Sequence, residues 1–177
     1  MENIVLIGMP GSGKSTLGVL LAKALGRSFV DTDLLVQVKA SGRLQALLDE
    51  KGVDAFLDLE GETVSELDAE NAVIATGGSV VYRAAAMAHL RQNGVLVYLA
   101  LPYAEIRRRV KNLSTRGVAL RAGQTLRTLY DERVPLYEKY CDIRFAPAPG
   151  ASLEETVAEL CERLEKQEKP EKLEERK

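Results

Sequence analysis

"GMPGSGKST" occupies residues 8–16 and follows directly on "NIVLIG" at 3–8. Ile4, Val5, Leu6 and Ile7 read as a short buried strand, and "KSTLGVLLAKAL" at 14–25 carries apolar residues at helical spacing. The turn between them fits G-x-x-x-x-G-K-[ST], with Gly8, Gly13, Lys14 and Ser15 at the fixed positions. Glycines let successive backbone N–H groups converge on one cavity, where they bind phosphate oxygens. The helix that follows adds its free N–H groups and the positive end of its dipole. Gly11, Ser12, Gly13, Lys14, Ser15 and Thr16 are therefore the expected nucleotide contacts, with Lys14 reaching the β- and γ-phosphates and Ser15 on Mg²⁺. An ordinary Gly-rich turn would not need a strand before it and a helix after it.

The chain has 177 residues, of which 46% are hydrophobic and 28% charged, as expected of one globular domain with a sizeable core. A net charge of −2 gives no global basic surface for nucleic acid. No apolar run approaches the length of a membrane span, and the first strand begins too soon for a signal peptide. A cytoplasmic monomer with a small-molecule substrate is the expectation. Cys141 and Cys161 lack metal-ligand spacing and read as reduced structural thiols. His89, the single histidine, lies on an apparent helix and reads as a surface residue.

Strands are expected at 4–7, 28–31, 72–76, 95–101 and 142–145. Helical patterns fall at 14–25, 33–40, 43–50, 53–67, 83–92, 103–111 and 124–140. Such alternation implies an α/β fold, a parallel sheet covered on both faces, with ligands collecting at the carboxyl ends of the strands. A last helix opens with a capping box, Ser152 to Glu155. A single domain over 1–166 and a charged tail over 167–177 follow. Residues 112–123 lack periodicity and are bordered by arginines, which reads as a flap.

"FVDTD" ends the second strand with Asp31 and Asp33. Alternate strand residues face the same side, so both carboxylates can point toward a bound nucleotide. One suits Mg²⁺ through water and the other suits an attacking hydroxyl, unless one only caps the next helix.

With these motifs the chain resembles the shikimate kinase family. The matching stretches are "GMPGSGKST", "FVDTD", "FLDLE" at 56–60, "ATGGS" at 75–79, "RRR" at 107–109, "STRG" at 114–117 and "ERVPLY" at 132–137. The resemblance runs from about residue 3 to residue 164. It implies a P-loop, nucleoside-monophosphate-kinase-like fold with a five-stranded parallel sheet flanked by helices, a substrate-binding region at 33–67 and a lid at 112–123. It implies transfer of the ATP γ-phosphoryl group to a hydroxyl of shikimate. Carried over by position, Ser15 and Asp31 serve Mg²⁺, and Asp33, Lys14 and Arg116 are catalytic. Gly77, Gly78, Ser79 and Arg133 meet the acceptor, and Arg109 and Arg116 flank the nucleotide.

Departures cluster in the acceptor half. The family's Phe-Arg-x-x-Glu reads Phe56-Leu57-Asp58-Leu59-Glu60, so Leu57 stands at a substrate-binding position where an arginine would clamp a carboxylate. The family's Gly-Glu upstream of that helix reads Gly52-Val53, the third glycine of its Gly-Gly-Gly turn is Ser79, and its lid Arg-Pro is Arg116-Gly117. Losing one partner of a bidentate Arg–carboxylate pair costs about 2–5 kcal/mol of binding. The acceptor is then shikimate or a different small hydroxy acid or amino acid, and Asp58 or Glu60 could meet an amine. Two other classes compete. A catalytically impaired nucleotide-binding regulator would not need Lys14, Ser15, Asp31 and Asp33 all intact. A GTPase would carry an Asn-Lys-x-Asp motif, which is absent.

Overall fold

The computed structural model describes residues 2–110 and 118–167. Strands β1 (Asn3–Ile7), β2 (Ser28–Asp31), β3 (Ala72–Ala75), β4 (Gly94–Leu99) and β5 (Ile143–Phe145) form one parallel sheet in the order β2-β3-β1-β4-β5. Val5 at the centre is paired with Ile74 on one side and Leu96 on the other. Every residue of β1 is buried, so this strand carries a continuous apolar run instead of an alternating one.

Helices α1 (Lys14–Leu25), α2 (Thr32–Ala40), α3 (Leu44–Ser65), α4 (Ala84–Gln92), α5 (Tyr103–Arg109), α6 (Leu126–Tyr140) and α7 (Leu153–Gln167) cover the sheet. Successive β1 residues point to opposite faces and divide the core accordingly. Ile4 and Leu6 pack with Leu17 and Leu21 of α1 and Leu160 and Leu164 of α7. Val5 and Ile7 pack with Val64 of α3, Met87 and Leu90 of α4 and Leu129 and Tyr137 of α6. A smaller third cluster joins Val36 of α2 to Leu44, Leu47, Leu48, Phe56 and Leu57 of α3 and to Ala119. With Val64 of α3 in the sheet core, α2 and the first half of α3 form a wing anchored to the main body by the end of α3.

Element types agree with the sequence patterns, and differences fall at ends. The patterns at 43–50 and 53–67 lie within α3, which kinks where Gly52 takes φ 81° and ψ 173°. Helix α6 starts at Leu126 instead of 124 because Thr125 caps it. Thr125 Oγ1 accepts from the Thr128 N–H at 3.2 Å, while Thr128 Oγ1 accepts from the Thr125 N–H at 2.9 Å. The box before α7 is formed as expected, with the Glu155 N–H donating to Ser152 Oγ at 3.1 Å and the Ser152 N–H to Glu155 Oε2 at 2.8 Å. Of the expected lid, residues 118–123 are described. Residues 112–117, Arg116 among them, lie outside the described residues, as do 168–177 of the expected tail. Among the described residues no helix is long and apolar enough to cross a membrane.

Candidate active site

The loop after β1 turns on glycines that no other residue could replace without strain. Gly11 has φ 76° and Gly13 φ 99°, both left-handed. A Cβ on Gly11 would come within 2.5 Å of Val110 Cγ2, so the loop is also packed tightly against the end of α5. The first helical bond of α1 runs from the Leu17 N–H to the Gly13 carbonyl at 2.8 Å. The amides just before Leu17 are left for a ligand. Lys14 is 8% exposed, and its ammonium donates to the carbonyls of Gly8 at 2.8 Å and Met9 at 3.0 Å. Burial lowers its pKa to about 8, against the opposing pull of Asp33. Ser15 and Thr16 are exposed at the first turn of α1.

At the end of β2, Asp31 and Asp33 divide their work. Asp31 is the N-cap of α2 and accepts the Asp33 N–H at 3.0 Å through Oδ1. Asp33, in the first turn of α2, lines a cavity of about 460 Å³ together with Lys14, Ser15, Gly77, Gly78 and Arg133. Burial raises the Asp33 carboxyl, and Lys14 opposes that rise.

The Gly77-Gly78 turn follows β3 and is wedged between charged groups. A Cβ on Gly77 would overlap Glu60 Oε1 and fall 2.8 Å from Asp33 Oδ1. One on Gly78 would fall 2.9 Å from Pro10 Cδ and 3.1 Å from Arg133 Nη1. Side-chain-free backbone is what allows three ionisable groups to approach this turn. The turn is pinned from two sides, by the Gly77 N–H donating to Thr32 Oγ1 at 3.1 Å and by Tyr137 Oη donating to the Gly78 carbonyl at 2.5 Å. Arg133 itself is 1% exposed. Its Nε donates to Tyr82 Oη at 3.2 Å and its Nη2 to the Ala119 carbonyl at 3.0 Å, with the guanidinium over the Tyr82 ring. Nη1 remains for a ligand.

Glu60 of α3 also lines this cavity and is 1% exposed. Neither carboxylate oxygen has a hydrogen-bond partner among the described residues. Burial pushes its pKa from 4.5 up to about 7, although the neighbouring Ser79 side chain, Arg133 and Lys14 pull it down. Ser79 lies close enough to exert that pull without meeting hydrogen-bond geometry. The folded protein thus keeps a proton that the unfolded chain has released. This group costs stability progressively as pH rises from about 4.5 to about 7, and the cost persists above that. We expect Glu60→Gln to gain stability relative to the parent between pH 4.5 and 8, by on the order of 3 kcal/mol. Urea unfolding at both pH values measures it; parallel pH dependence in the two proteins would contradict the burial of an unpaired carboxyl.

A second cavity, of about 1020 Å³, opens on the other side of the loop and meets the first at Gly13 and Thr16. Arg109 lines it, donating to Glu105 Oε1 at 2.7 Å and to the Ser12 carbonyl at 3.3 Å. Its far wall is the loop after β5, Pro147 to Gly150, which the sequence reading did not single out. The signal was present, since "APAPG" follows the last strand at the ligand-binding edge of the sheet. Thr32, Tyr82, Tyr137 and Ala119 were also missed, because tertiary contacts alone bring them to the turn.

Leu57 is not among the residues that line the cavity with Asp33 and Arg133. It is 2% exposed in the α2–α3 cluster and faces a separate cavity of about 170 Å³ beside Val53, Tyr82 and Ala119. Its side chain points there because α3 gives its buried stripe to the wing's own core. Asp58 is exposed and paired with Arg83, whose Nη2 donates to Oδ1 at 2.7 Å, so it does not face the acceptor cavity. Arg108 pairs with Glu105 at 2.7 Å on the outside of α5, as a solvated helix face would.

The family model for shikimate kinase matches residues 10–168. The chain belongs to the shikimate kinase family. The family's members are small-molecule kinases that use ATP to phosphorylate a hydroxyl. The shikimate kinase of Paracidovorax citrulli is 38% identical over 169 residues, covering 92% of each chain. The structure of Acinetobacter baumannii shikimate kinase in complex with shikimate superposes with a TM-score of 0.84 at 29% identity, covering 97% of this chain and 96% of that one. The mouse protein threonine synthase-like 1 is 39% identical over 158 residues, 88% of this chain but 21% of its own length. The family assignment accounts for the conjunction of loop, Asp-x-Asp, Gly-Gly turn and buried arginine around two adjoining cavities.

Proposed function

We propose that the protein transfers the γ-phosphoryl group of ATP to a hydroxyl of a small carboxylate-bearing metabolite, with shikimate the acceptor named for its relatives. What carries this reading is the meeting, at Gly13 and Thr16, of a large cavity and a smaller one that holds Asp33 and Arg133. The nucleotide occupies the large cavity with Arg109 over it, and its phosphates lie on the amides and side chains of Gly11 to Thr16. Lys14 exchanges its bonds to the Gly8 and Met9 carbonyls for bonds to the β- and γ-phosphates. Ser15 and Asp31 offer hard oxygen donors beside Lys14 and fit Mg²⁺, Ser15 directly and Asp31 through water. When bound, that ion neutralises charge on the phosphates.

The acceptor lies on Gly77, Gly78 and Ser79, its carboxylate on Arg133 Nη1 and its hydroxyl on Asp33. Asp33 orients the hydroxyl and takes its proton. A carboxyl raised by burial is a better base than a solvated one. Phosphoryl transfer is mostly positioning and charge neutralisation, which this arrangement supplies. Residues 33–67 serve the acceptor, Arg116 of the expected lid at 112–123 serves the transferring group, and 1–166 are one domain with a charged tail at 167–177. The protein works as a cytoplasmic monomer without a nucleic-acid or membrane partner, consistent with its net charge of −2. Measuring ADP formation from Mg²⁺-ATP with and without shikimate tests the reading. Acceptor-dependent ADP release is expected, and acceptor-independent release alone would contradict it.

A further inference from the structure

The acceptor cavity holds a buried acid that a purely anionic acceptor leaves without a partner. Among the described residues its cations are Lys14, committed to phosphates, and Arg133, with one free nitrogen. Its acids are Asp33 and Glu60, and both Glu60 oxygens lack a donor. A buried carboxylate without a donor is costly, and a ligand that brings one gains by satisfying it. A Cβ on Gly77 would meet both Glu60 Oε1 and Asp33 Oδ1, and one on Gly78 would meet Arg133 Nη1, so these groups approach two consecutive bare backbone positions. An anion-binding nitrogen, an unpaired acid and the hydroxyl-facing Asp33 thus surround two consecutive residues.

Building on the kinase reading, we propose that the acceptor is a small hydroxy amino acid, its carboxylate on Arg133, its ammonium on Glu60 and its hydroxyl on Asp33. The hydroxyl oxygen forms a bond to the γ-phosphorus while the bond from that phosphorus to the β,γ-bridging oxygen breaks. ADP departs with the electron pair, and the hydroxyl proton passes to Asp33 and then to water. Charge balance favours this zwitterion over a hydroxy acid, because its carboxylate meets the Arg133 guanidinium already in place and its ammonium draws the Glu60 proton off to water and pairs with the carboxylate left behind. Leu57 does not supply a second cation, and Asp58 is engaged with Arg83.

The test compares L-homoserine with 4-hydroxybutyrate, and L-serine with 3-hydroxypropanoate, as acceptors for the full chain with Mg²⁺-ATP, with shikimate as a further arm. We expect kcat/KM to favour the amino member of at least one pair by about tenfold or more, the discrimination one charge-assisted contact supplies. Glu60→Gln should reduce that ratio to about threefold or less while its Kd for ATP stays within about twofold of the parent's, which reports an intact fold. If Glu60→Gln does not fold, the parent's ratio decides by itself. Equal use of both members of each pair, use of shikimate without use of either amino acid, or a preference that survives Glu60→Gln would overturn the proposal while leaving the kinase reading in place. A protein that binds ATP and phosphorylates none of these acceptors would overturn both.

Discussion

Replacing Lys14 with alanine should lower turnover about 100- to 1000-fold while the protein stays folded. The ammonium is buried, held by the Gly8 and Met9 carbonyls, and placed at the head of α1. A charge fixed in a low-dielectric site acts strongly on developing phosphate charge and needs no reorganisation at the moment of reaction. The substitution removes that charge and leaves two carbonyls facing a cavity, where water can meet them. The effect should fall on kcat and on ATP affinity together, because Lys14 touches the phosphates before and during transfer. Circular dichroism checks the fold and steady-state kinetics the loss. A folded variant with turnover near the parent's would remove Lys14 from the phosphate site. The same ammonium has a pKa of about 8 in the free protein, so its charge is lost as pH rises through that value. ATP binding above pH 8 should therefore take up a proton, an effect absent from Lys14→Ala.

Asp33→Asn should separate chemistry from nucleotide binding. Asp33 faces the acceptor cavity from the first turn of α2, and Asp31, not Asp33, caps that helix. Asparagine keeps the shape and the fold but cannot accept the hydroxyl proton. General-base catalysis by a positioned side chain contributes about 10²- to 10⁴-fold, and a loss of kcat in that range is expected with little change in the Kd for ATP. A large loss of ATP affinity with kcat preserved would instead place Asp33 on the metal, and Asp31 would then lose its assignment.

Much of this architecture was legible in the chain because it is local. The run Ile4 to Ile7, the glycine loop and the apolar spacing of 14–25 each specify a backbone conformation within a few residues. The motif located Asp31 and Asp33, but strand parity does not carry from one to the other, because β2 ends at Asp31 and α2 begins at Thr32, and parity could not say which one caps α2. That was decided by the Asp33 N–H bending back to Asp31 Oδ1. What stayed illegible depends on contacts distant in sequence. Tyr137 reaches the Gly78 carbonyl across 59 residues, and Thr32 reaches the Gly77 N–H across 45. The packing of Leu57 is illegible in the sequence for a related reason. Its position in Phe56–Glu60 suggested the acceptor, but α3 packs in two directions. Glu60 lines the acceptor cavity, Phe56 lies between that cavity and the wing's own core, Leu57 packs in the wing's core, and Asp58 turns to Arg83. Motif spacing gives a residue's place on a helix, and only packing decides which neighbour that face meets.

The central claim is that Lys14, Asp33 and Arg133 serve one phosphoryl transfer to a small hydroxylated acceptor. Phosphorus NMR of Mg²⁺-ATP incubated with the full chain and an acceptor set containing shikimate, L-homoserine and L-serine tests it most directly. The account predicts a new phosphomonoester resonance that grows in step with ADP, and whose growth is nearly abolished in Asp33→Asn. ADP accompanied only by inorganic phosphate, or a phosphomonoester that forms equally well in Asp33→Asn, would contradict it.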